Sequence, residues 1–371
     1  MNPFPYSDEA ISENELMFAI PSTIMGVSIL SLPRKLALDT LYSDGWISLL
    51  LAGVFFAILA VIGTKVASKF PNQSYFSYAS TLVTKPVAIG IVIIQIILFI
   101  GLSAFSIRSL AYISQQYLFE HTPMEVISLS FLLVVVYAVS GSRAGLFRLN
   151  VMFLPIILIV TIIIAVFNIT WIDLKNFLPL FKTDMKGYIK GFQTSFEVYI
   201  GYSIVLFYVG LVNKPKKLTK KVIVGMSIPI ISYIFIFFVT IGIYGNMVTA
   251  NIELPSLGLA KRVDIPGGIF ERIDTIFFTI WTMAIFNTAS MLLDVAVLLI
   301  TSIFKQIKKR IVTFILAPII YYLVMLPQEI HQVQTASILL SQFMAYFTMV
   351  LIVSLFVIAS IRGVGKNEKK S

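Results

Sequence analysis

Long apolar runs separated by short polar breaks occupy nearly all of the 371-residue chain. A helix needs roughly 20 apolar residues to cross the hydrocarbon core of a bilayer, where no backbone polar group can stay unpaired. Measured against that length, the pattern predicts an all-α polytopic membrane protein with about ten transmembrane helices. They are predicted at about 14–34, 46–68, 86–117, 125–140, 147–168, 189–211, 219–245, 270–301, 310–326 and 333–361.

Composition supports a single transmembrane domain over residues 1–371 and excludes several kinds of chemistry. Hydrophobic residues make up 58% of the chain and charged residues 12%, about half the charged share of a soluble domain. There is no cysteine, and the two histidines, His121 and His331, lie far apart in sequence. Nucleotide-binding, metalloprotease and hydrolase motifs are also missing from the sequence. We therefore expect no metal, no cofactor and no enzymatic activity.

The formal net charge of +10 reflects topology rather than binding of nucleic acid. The basic residues cluster in short loops between the apolar runs, and no basic stripe interleaved with aromatic residues is present. With the N-terminus inside, the inner loops and tail hold roughly twice as many Lys and Arg residues as the outer loops, which is the bias that sets orientation. Both termini are therefore predicted on the cytoplasmic side.

The first and sixth predicted spans are interrupted near their middles. In the first span, Pro21 removes an amide and Gly26 relaxes the backbone a turn and a half later. The sixth span has Gly201 beside Ser203, and Glu197 precedes them. Small residues of this kind are also common in membrane helices for packing alone.

The two interruptions share a short sequence pattern. Residues 26–30 read Gly-Val-Ser-Ile-Leu and residues 201–205 read Gly-Tyr-Ser-Ile-Val. Because span six is then the counterpart of span one, the ten spans divide into two repeats of five, at about 14–168 and 189–361. An odd number of spans per repeat inverts the second repeat. Paired interrupted helices in inverted repeats indicate a transporter-type site at the middle of the membrane.

Charged residues inside predicted spans are costly in hydrocarbon and need a partner or a water-filled cavity. Three stand out: Arg108 in span three, Glu197 in span six and Asp294 in span eight. Asn287, Ser290 and Asp294 share one helix face. The pattern predicts a polar cavity lined by spans one, three, six and eight, with Arg108 and Asp294 as ion-pair or gating residues; the alternative is that these two only pair or reach the headgroups near helix ends.

An unwound helix exposes amides at one half-helix and carbonyls at the other, which suits a zwitterionic ligand such as a small amino acid. Amides near Gly26 to Ser28 would hold its carboxylate, and carbonyls of span six or Glu197 its ammonium. The candidate ligand-binding residues are Thr23, Gly26, Val27, Ser28, Phe99, Glu197, Tyr199, Gly201, Asn287 and Ser290.

Two outer segments are long, at 169–188 and 246–269. The second contains several apolar residues and two prolines. It is expected either to fold back as a lid over an outward cavity or to serve as a connector.

An acidic N-terminus followed by Met-Gly-Val-Ser-Ile-Leu-Ser-Leu-Pro at residues 25–33 resembles the first-helix signature of the spore germination permeases. These proteins are the B subunits of nutrient germinant receptors. The basic loop at residues 214–221, the chain length and the interrupted helices also fit, so the resemblance covers nearly the whole chain.

This resemblance implies a five-plus-five inverted-repeat, leucine-transporter-like fold that recognises a small germinant, most often an amino acid, and triggers germination. It further implies location in the spore inner membrane and assembly with an A subunit and a lipoprotein C subunit. Many proton-coupled relatives carry a lysine in helix five, whereas residues 149–168 contain none. That departure favours a receptor over a secondary active amino acid transporter, and a non-transporting scaffold is a third alternative.

Overall fold

The structure, a computed structural model, describes residues 11–212, 217–263 and 273–362. Within them, helices dominate, and the one β-type pairing is an isolated parallel bridge between Ile11 and Val212. The α-helices are α1 (Glu13–Ile24), α2 (Ser28–Asp39), α3 (Gly45–Ala67), α4 (Tyr75–Leu82), α5 (Lys85–Tyr117), α6 (Met124–Ser140), α7 (Arg143–Phe167), α8 (Met185–Thr194), α9 (Val205–Tyr208), α10 (Leu218–Asn251), α11 (Pro255–Lys261), α12 (Ile273–Ile303), α13 (Lys309–Met325) and α14 (Ile330–Ile361). Short 3-10 helices include Ser195–Val198, Ile200–Ile204 and Val209–Leu211.

The predicted all-α polytopic fold is confirmed. Six helices, α3, α5, α7, α10, α12 and α14, are long and apolar enough to cross a membrane. Two bent pairs add up to two more spans: α1 with α2 at 55°, and the segments 185–198 and 200–211 at 50°. The helices α6 and α13 have 17 residues each, at the lower limit of about 17 for a span. These ten segments overlap the ten predicted ones, although several ends differ, as at Asp39 and Asn251.

The ends of the bundle are named here after the predicted orientation. The outer end carries residues 40–44 and 169–184, and the inner end carries residues 68–74 and 141–142. At the outer end, α11 folds back onto the bundle, and the Ser256 hydroxyl donates to the Ile29 carbonyl of α2 at 2.9 Å. In the predicted lid segment, residues up to Asn251 belong to α10 and Pro255–Lys261 form α11, while residues 264–269 lie outside the described ranges.

The first span breaks at Met25, Gly26 and Val27, between α1 and α2. Pro21 stays inside α1 and leaves the Met17 carbonyl without its intrahelical donor. That carbonyl lies against Gly225 of α10, where an added Cβ would come within 2.8 Å of it. The Met17 carbonyl therefore faces the α10 backbone at close range, and α1 ends about one turn after the proline, at Ile24.

The sixth span bends by a different route, through successive 3-10 turns on either side of Tyr199. A 3-10 helix is narrower than an α-helix and keeps its amides bonded over three residues. Gly201 then lies directly against α1, because an added Cβ would be 2.9 Å from the Ile24 amide nitrogen and 2.9 Å from the Thr23 carbonyl carbon. The two breaks face each other with backbone against backbone.

One buried hydroxyl of α10 connects both breaks. The Tyr233 hydroxyl lies 2.9 Å from the Ile24 carbonyl, at the end of α1, and 3.3 Å from the Val198 carbonyl, just before the bend at Tyr199. A phenol has one proton to donate, so the two carbonyls share it. Carbonyls at helix ends lack intrahelical partners, and Tyr233 supplies one for each break.

Replacing Tyr233 with phenylalanine removes this shared donor while keeping the ring in place. We expect Tyr233→Phe to lower the free energy of unfolding by about 1–3 kcal/mol, the cost of leaving a buried polar group unpaired. Thermal unfolding of the detergent-purified protein measures this. Tyr137→Phe, at a side chain 81% exposed, is the matched control, and an equal effect of both substitutions would contradict the role of the shared donor.

Asp44, just before α3, holds the outer segment that leads into α8. Its carboxylate accepts the backbone amides of Phe181, Lys182 and Thr183 at 2.7, 2.7 and 2.8 Å. Burial by itself raises the pKa of the Asp44 carboxyl, but these amide bonds outweigh burial and hold that pKa below its ordinary value. Asp184 then caps α8 by accepting the Gly187 amide at 2.8 Å.

The lowered pKa of Asp44 predicts an acid-sensitive contribution to stability. A depressed carboxyl pKa stabilises the fold above the unfolded-state value of about 3.9 and is lost as pH falls through the folded-state value. Asp44→Asn is therefore expected to lower the melting temperature most near neutral pH, with the difference from the unsubstituted protein shrinking in acid. Thermal unfolding across this pH range, with Glu120→Gln at an exposed position as control, measures it; a pH-independent difference would contradict the assignment.

Candidate ligand-binding site

A cavity of about 50 Å³ lies between the two breaks. Five spans contribute to its wall: the first (α1–α2), the third (α5), the sixth (the 3-10 turns), the eighth (α12) and the tenth (α14). The lining residues are Thr23, Ile24, Gly26, Val27, Ser28, Leu102, Phe105, Ser106, Glu197, Val198, Ile200, Gly201, Thr288, Leu292 and Ser341. Six of the ten predicted ligand-binding residues are among them: Thr23, Gly26, Val27, Ser28, Glu197 and Gly201.

The wall of the cavity is tightly packed at Gly26. A Cβ added there would come within 2.4 Å of the Thr288 hydroxyl oxygen, and that hydroxyl donates to the Ser22 carbonyl at 3.1 Å. Glycine is therefore required at this position by close contact between α12 and the break in the first span. On the other side of the break, α2 begins at Ser28, and its first-turn amides carry partial positive charge.

Glu197 supplies the one carboxylate in the cavity wall, and it is ion-paired. The Nζ atom of Lys35 lies 2.5 Å from its Oε1 atom. The sequence placed Lys35 in an outer loop after residue 34, and this is corrected: α2 continues to Asp39. Only the part of a helix that meets lipid has to be apolar. The apolar run therefore ends before Lys35, although the helical backbone continues to Asp39.

Four predicted residues lie outside the cavity wall. The Tyr199 hydroxyl turns away and donates to the Leu49 carbonyl at 3.3 Å. The Phe99 ring packs edge-on against Phe207, with 5.3 Å between the ring centroids. The Ser290 hydroxyl bonds within its own helix. The Asn287 side chain is buried, and its amide atoms have no hydrogen-bond partner among the described residues.

Arg108 lies toward the outer end of α5 and does not meet Asp294. Its Nη2 atom donates to the Pro327 carbonyl at 2.7 Å, in the connection between α13 and α14. This bond ties the third span to the loop between the ninth and tenth spans. The structure therefore places the two predicted ion-pair or gating residues in separate surroundings.

Asp294 is fully buried at the inner end and accepts from three spans at once. Its Oδ2 atom lies 2.8 Å from Arg143 Nε and 2.7 Å from the Tyr208 hydroxyl, and its Oδ1 atom lies 2.9 Å from Lys309 Nζ. The four side chains belong to α12, α7, α9 and α13. A buried carboxylate paired with two cations joins the inner halves of these spans into one block below the cavity.

Two further cavities lie on the outer side of the site. One, of about 270 Å³, shares Val27 and Phe105 with the central cavity and is lined in part by Arg34 and Glu253. The other, of about 200 Å³, shares Glu197 and is also lined by Lys35. The central cavity therefore shares wall residues with both outer cavities, whereas none of the four residues of the Asp294 network lines it.

Sequence reasoning missed several lining residues for identifiable reasons. Phe105 and Ser106 are neighbours in span three, and neither an aromatic residue nor a single serine marks a cavity wall. Thr288 lies between Asn287 and Ser290, and most of α12 is buried, so polarity alone does not show which face meets the cavity. Ser341 is one of several polar residues in the last span, so nothing in the sequence distinguishes it.

Two bent helices that face each other across a small central cavity are typical of the leucine-transporter-like fold of membrane proteins. The fold is similar to that of MhsT, solved in complex with L-phenylalanine, with a TM-score of 0.67 and 14% sequence identity over 93% of this chain and 89% of that one. This likeness concerns the fold.

Sequence comparison gives the family. A family model described as spore germination protein matches residues 10–333. The spore germination protein GerLB of Bacillus cereus is 41% identical over 89% of each chain, and YndE of Bacillus subtilis (strain 168) is 28% identical over 86% of this chain and 88% of its own. The chain belongs to the spore germination protein family.

The Asp294 network predicts a large loss of stability when its carboxylate is neutralised. Asp294→Asn removes the carboxylate charge that faces the buried Arg143 and the partly buried Lys309, which is expected to cost about 3–5 kcal/mol. Thermal unfolding of Asp294→Asn, Arg143→Gln and the double variant measures this, and the double variant should lose less than the two single losses added together. Strict additivity would argue against direct coupling of the two side chains.

Proposed function

We propose that the chain is the membrane subunit of a spore germinant receptor, that it binds a small nutrient, an amino acid, in the cavity between the two breaks, and that binding triggers germination. Family membership supports the role in germination. One observation carries the ligand class: the Glu197 carboxylate and the N-terminal turn of α2 line the same small cavity.

The charges at the two sides of the cavity suit a zwitterion. An amino acid ammonium matches Glu197, since a carboxylate accepts several hydrogen bonds from a cation. Its carboxylate matches the backbone amides of Val27 and Ser28 at the start of α2, because helix N-termini attract anions. The volume of about 50 Å³ selects for a small ligand or one whose entry widens the site.

In this proposal, the ligand stabilises one arrangement of the half-helices, because a ligand shifts states only by its differential affinity for them. The bias then passes to partner subunits in the spore inner membrane, an A subunit and a lipoprotein C subunit, with both termini of this chain on the cytoplasmic side. Val27 and Phe105 line both the central cavity and the outer cavity of about 270 Å³. Because the two cavities share this wall, entry of the ligand from the outer end is favoured.

A secondary active amino acid transporter is the second candidate. The similarity of the fold to MhsT favours it. A transporter must also open toward the inner end, which requires the Asp294 network to separate during each cycle. A receptor can keep that network closed.

Filling the cavity at Gly26 tests the site. Gly26→Ala places a methyl group against the Thr288 hydroxyl. In spores that carry it as the sole copy, we expect the amino acid concentration for half-maximal germination to rise about tenfold or more, the factor that corresponds to ~1.4 kcal/mol. Loss of optical density on a panel of the common amino acids measures germination, and immunoblots of spore membranes measure assembly.

Gly90→Ala is the matched control, because nothing lies within 4 Å of an added Cβ there. Normal germination of assembled Gly26→Ala spores would count against the site and favour a scaffold role. Uptake of radiolabelled amino acid into proteoliposomes distinguishes the second candidate. Saturable uptake together with an unchanged germination response would favour the transporter.

A further inference from the structure

The carboxylate assigned to the ligand ammonium is already bonded to an ammonium of the protein itself. Lys35 Nζ lies 2.5 Å from Glu197 Oε1, and the side chains are 31% and 8% exposed, respectively. The carboxylate is thus largely withdrawn from water, while the lysine stem reaches toward the outer end. Glu197 lines both the central cavity and the outer cavity of about 200 Å³, and Lys35 lines the outer one.

We propose that Lys35 is a built-in competitor for the ammonium group of the ligand, so that only an amine-bearing nutrient can take its place on Glu197. This inference rests on the proposed function for its ligand, and it adds the means by which the site rejects other small molecules. The Lys35 side chain ends in the same primary ammonium that an amino acid carries, with three donors. The ammonium of an incoming ligand therefore replaces the Lys35 bond to Glu197 with a bond of the same chemistry.

A displaced lysine has a second carboxylate within its own helix. Asp39 lies four residues after Lys35 on α2, the spacing at which oppositely charged side chains pair. Asp39 lines the same outer cavity as Lys35, and its Oδ2 atom accepts the Thr194 hydroxyl at 2.6 Å. Lys35 can thus leave Glu197 without leaving its charge unpaired.

This exchange determines which nutrients can bind and the concentration at which they act. A nutrient without an amine cannot replace the lysine, because doing so would leave the nearly buried Glu197 without a cation. An amine-bearing nutrient binds against the competition of Lys35, which raises the concentration needed for a response. Lys35 therefore acts as a specificity-determining residue without needing to touch the ligand.

Methylammonium is the smallest probe of this site, since it reproduces the Nζ–Cε end of the missing lysine. Lys35→Met is expected to lower the melting temperature of the purified full-length protein. Methylammonium chloride should restore stability beyond an equal concentration of sodium chloride. The same salt should have no such effect on the unsubstituted protein or on the double variant Lys35→Met/Glu197→Gln. Lys190→Met, which removes an exposed lysine of α8, is the matched control.

Ligand competition is measured with glycine, L-alanine and L-phenylalanine as stabilising probes. Whichever of them stabilises the unsubstituted protein should half-saturate Lys35→Met at about a tenfold lower concentration, and its N-acetyl form should stabilise neither protein. Absent methylammonium rescue, or equal half-saturation of the two proteins, would overturn the inference. If methylammonium rescues but no common amino acid binds any form, the proposed function fails while the ammonium site at Glu197 stands.

Discussion

The shared hydrogen bond from Tyr233 is the constraint on which the architecture of the site depends. A helix that breaks inside a membrane exposes carbonyls that hydrocarbon cannot satisfy. By donating to Ile24 and Val198 together, one hydroxyl of α10 connects the two breaks. Gly201 lies against the α1 backbone, and the cavity lies beside that contact. A residue that belongs to neither interrupted span thus bonds both of them.

Charge is distributed unequally above and below the cavity. On the inner side, Asp294 and Arg143 are buried and Lys309 is partly buried, and a buried pair is costly to separate because each charge would be left in a low dielectric. On the outer side, Lys35 is partly exposed, and exposed pairs contribute less. The ion pair on the outer side is therefore the easier of the two to open, as the proposed ligand exchange at Glu197 requires.

Much of the fold could be predicted from the sequence, because span length and loop charge are local properties. The breaks at Gly26 and Gly201 were also visible locally, as was Glu197 beside the second break. The partners of the charged residues were not visible in the sequence. Arg143 of α7 and Lys309 of α13 both contact Asp294, and Lys35 contacts Glu197 across 162 positions. Helix faces were equally hidden in α12, where burial extends over 78% of the span and polarity no longer marks a direction. Ser341 lies in the cavity wall because of how the last span packs against the others, and the sequence pattern does not reveal that packing.

The outer halves of the first and sixth spans are fastened to each other at several points along their length. Thr194 bonds Asp39, and an added Cβ at Gly187 would lie 2.8 Å from the Asp39 carbonyl oxygen. Asp44 anchors the segment that enters α8. The α2 and α8 helices are therefore joined to each other on the outer side of both breaks, while α2 also packs against α10 and α8 against α3. A displacement of either helix at the cavity would be shared by the other and resisted by these two neighbours.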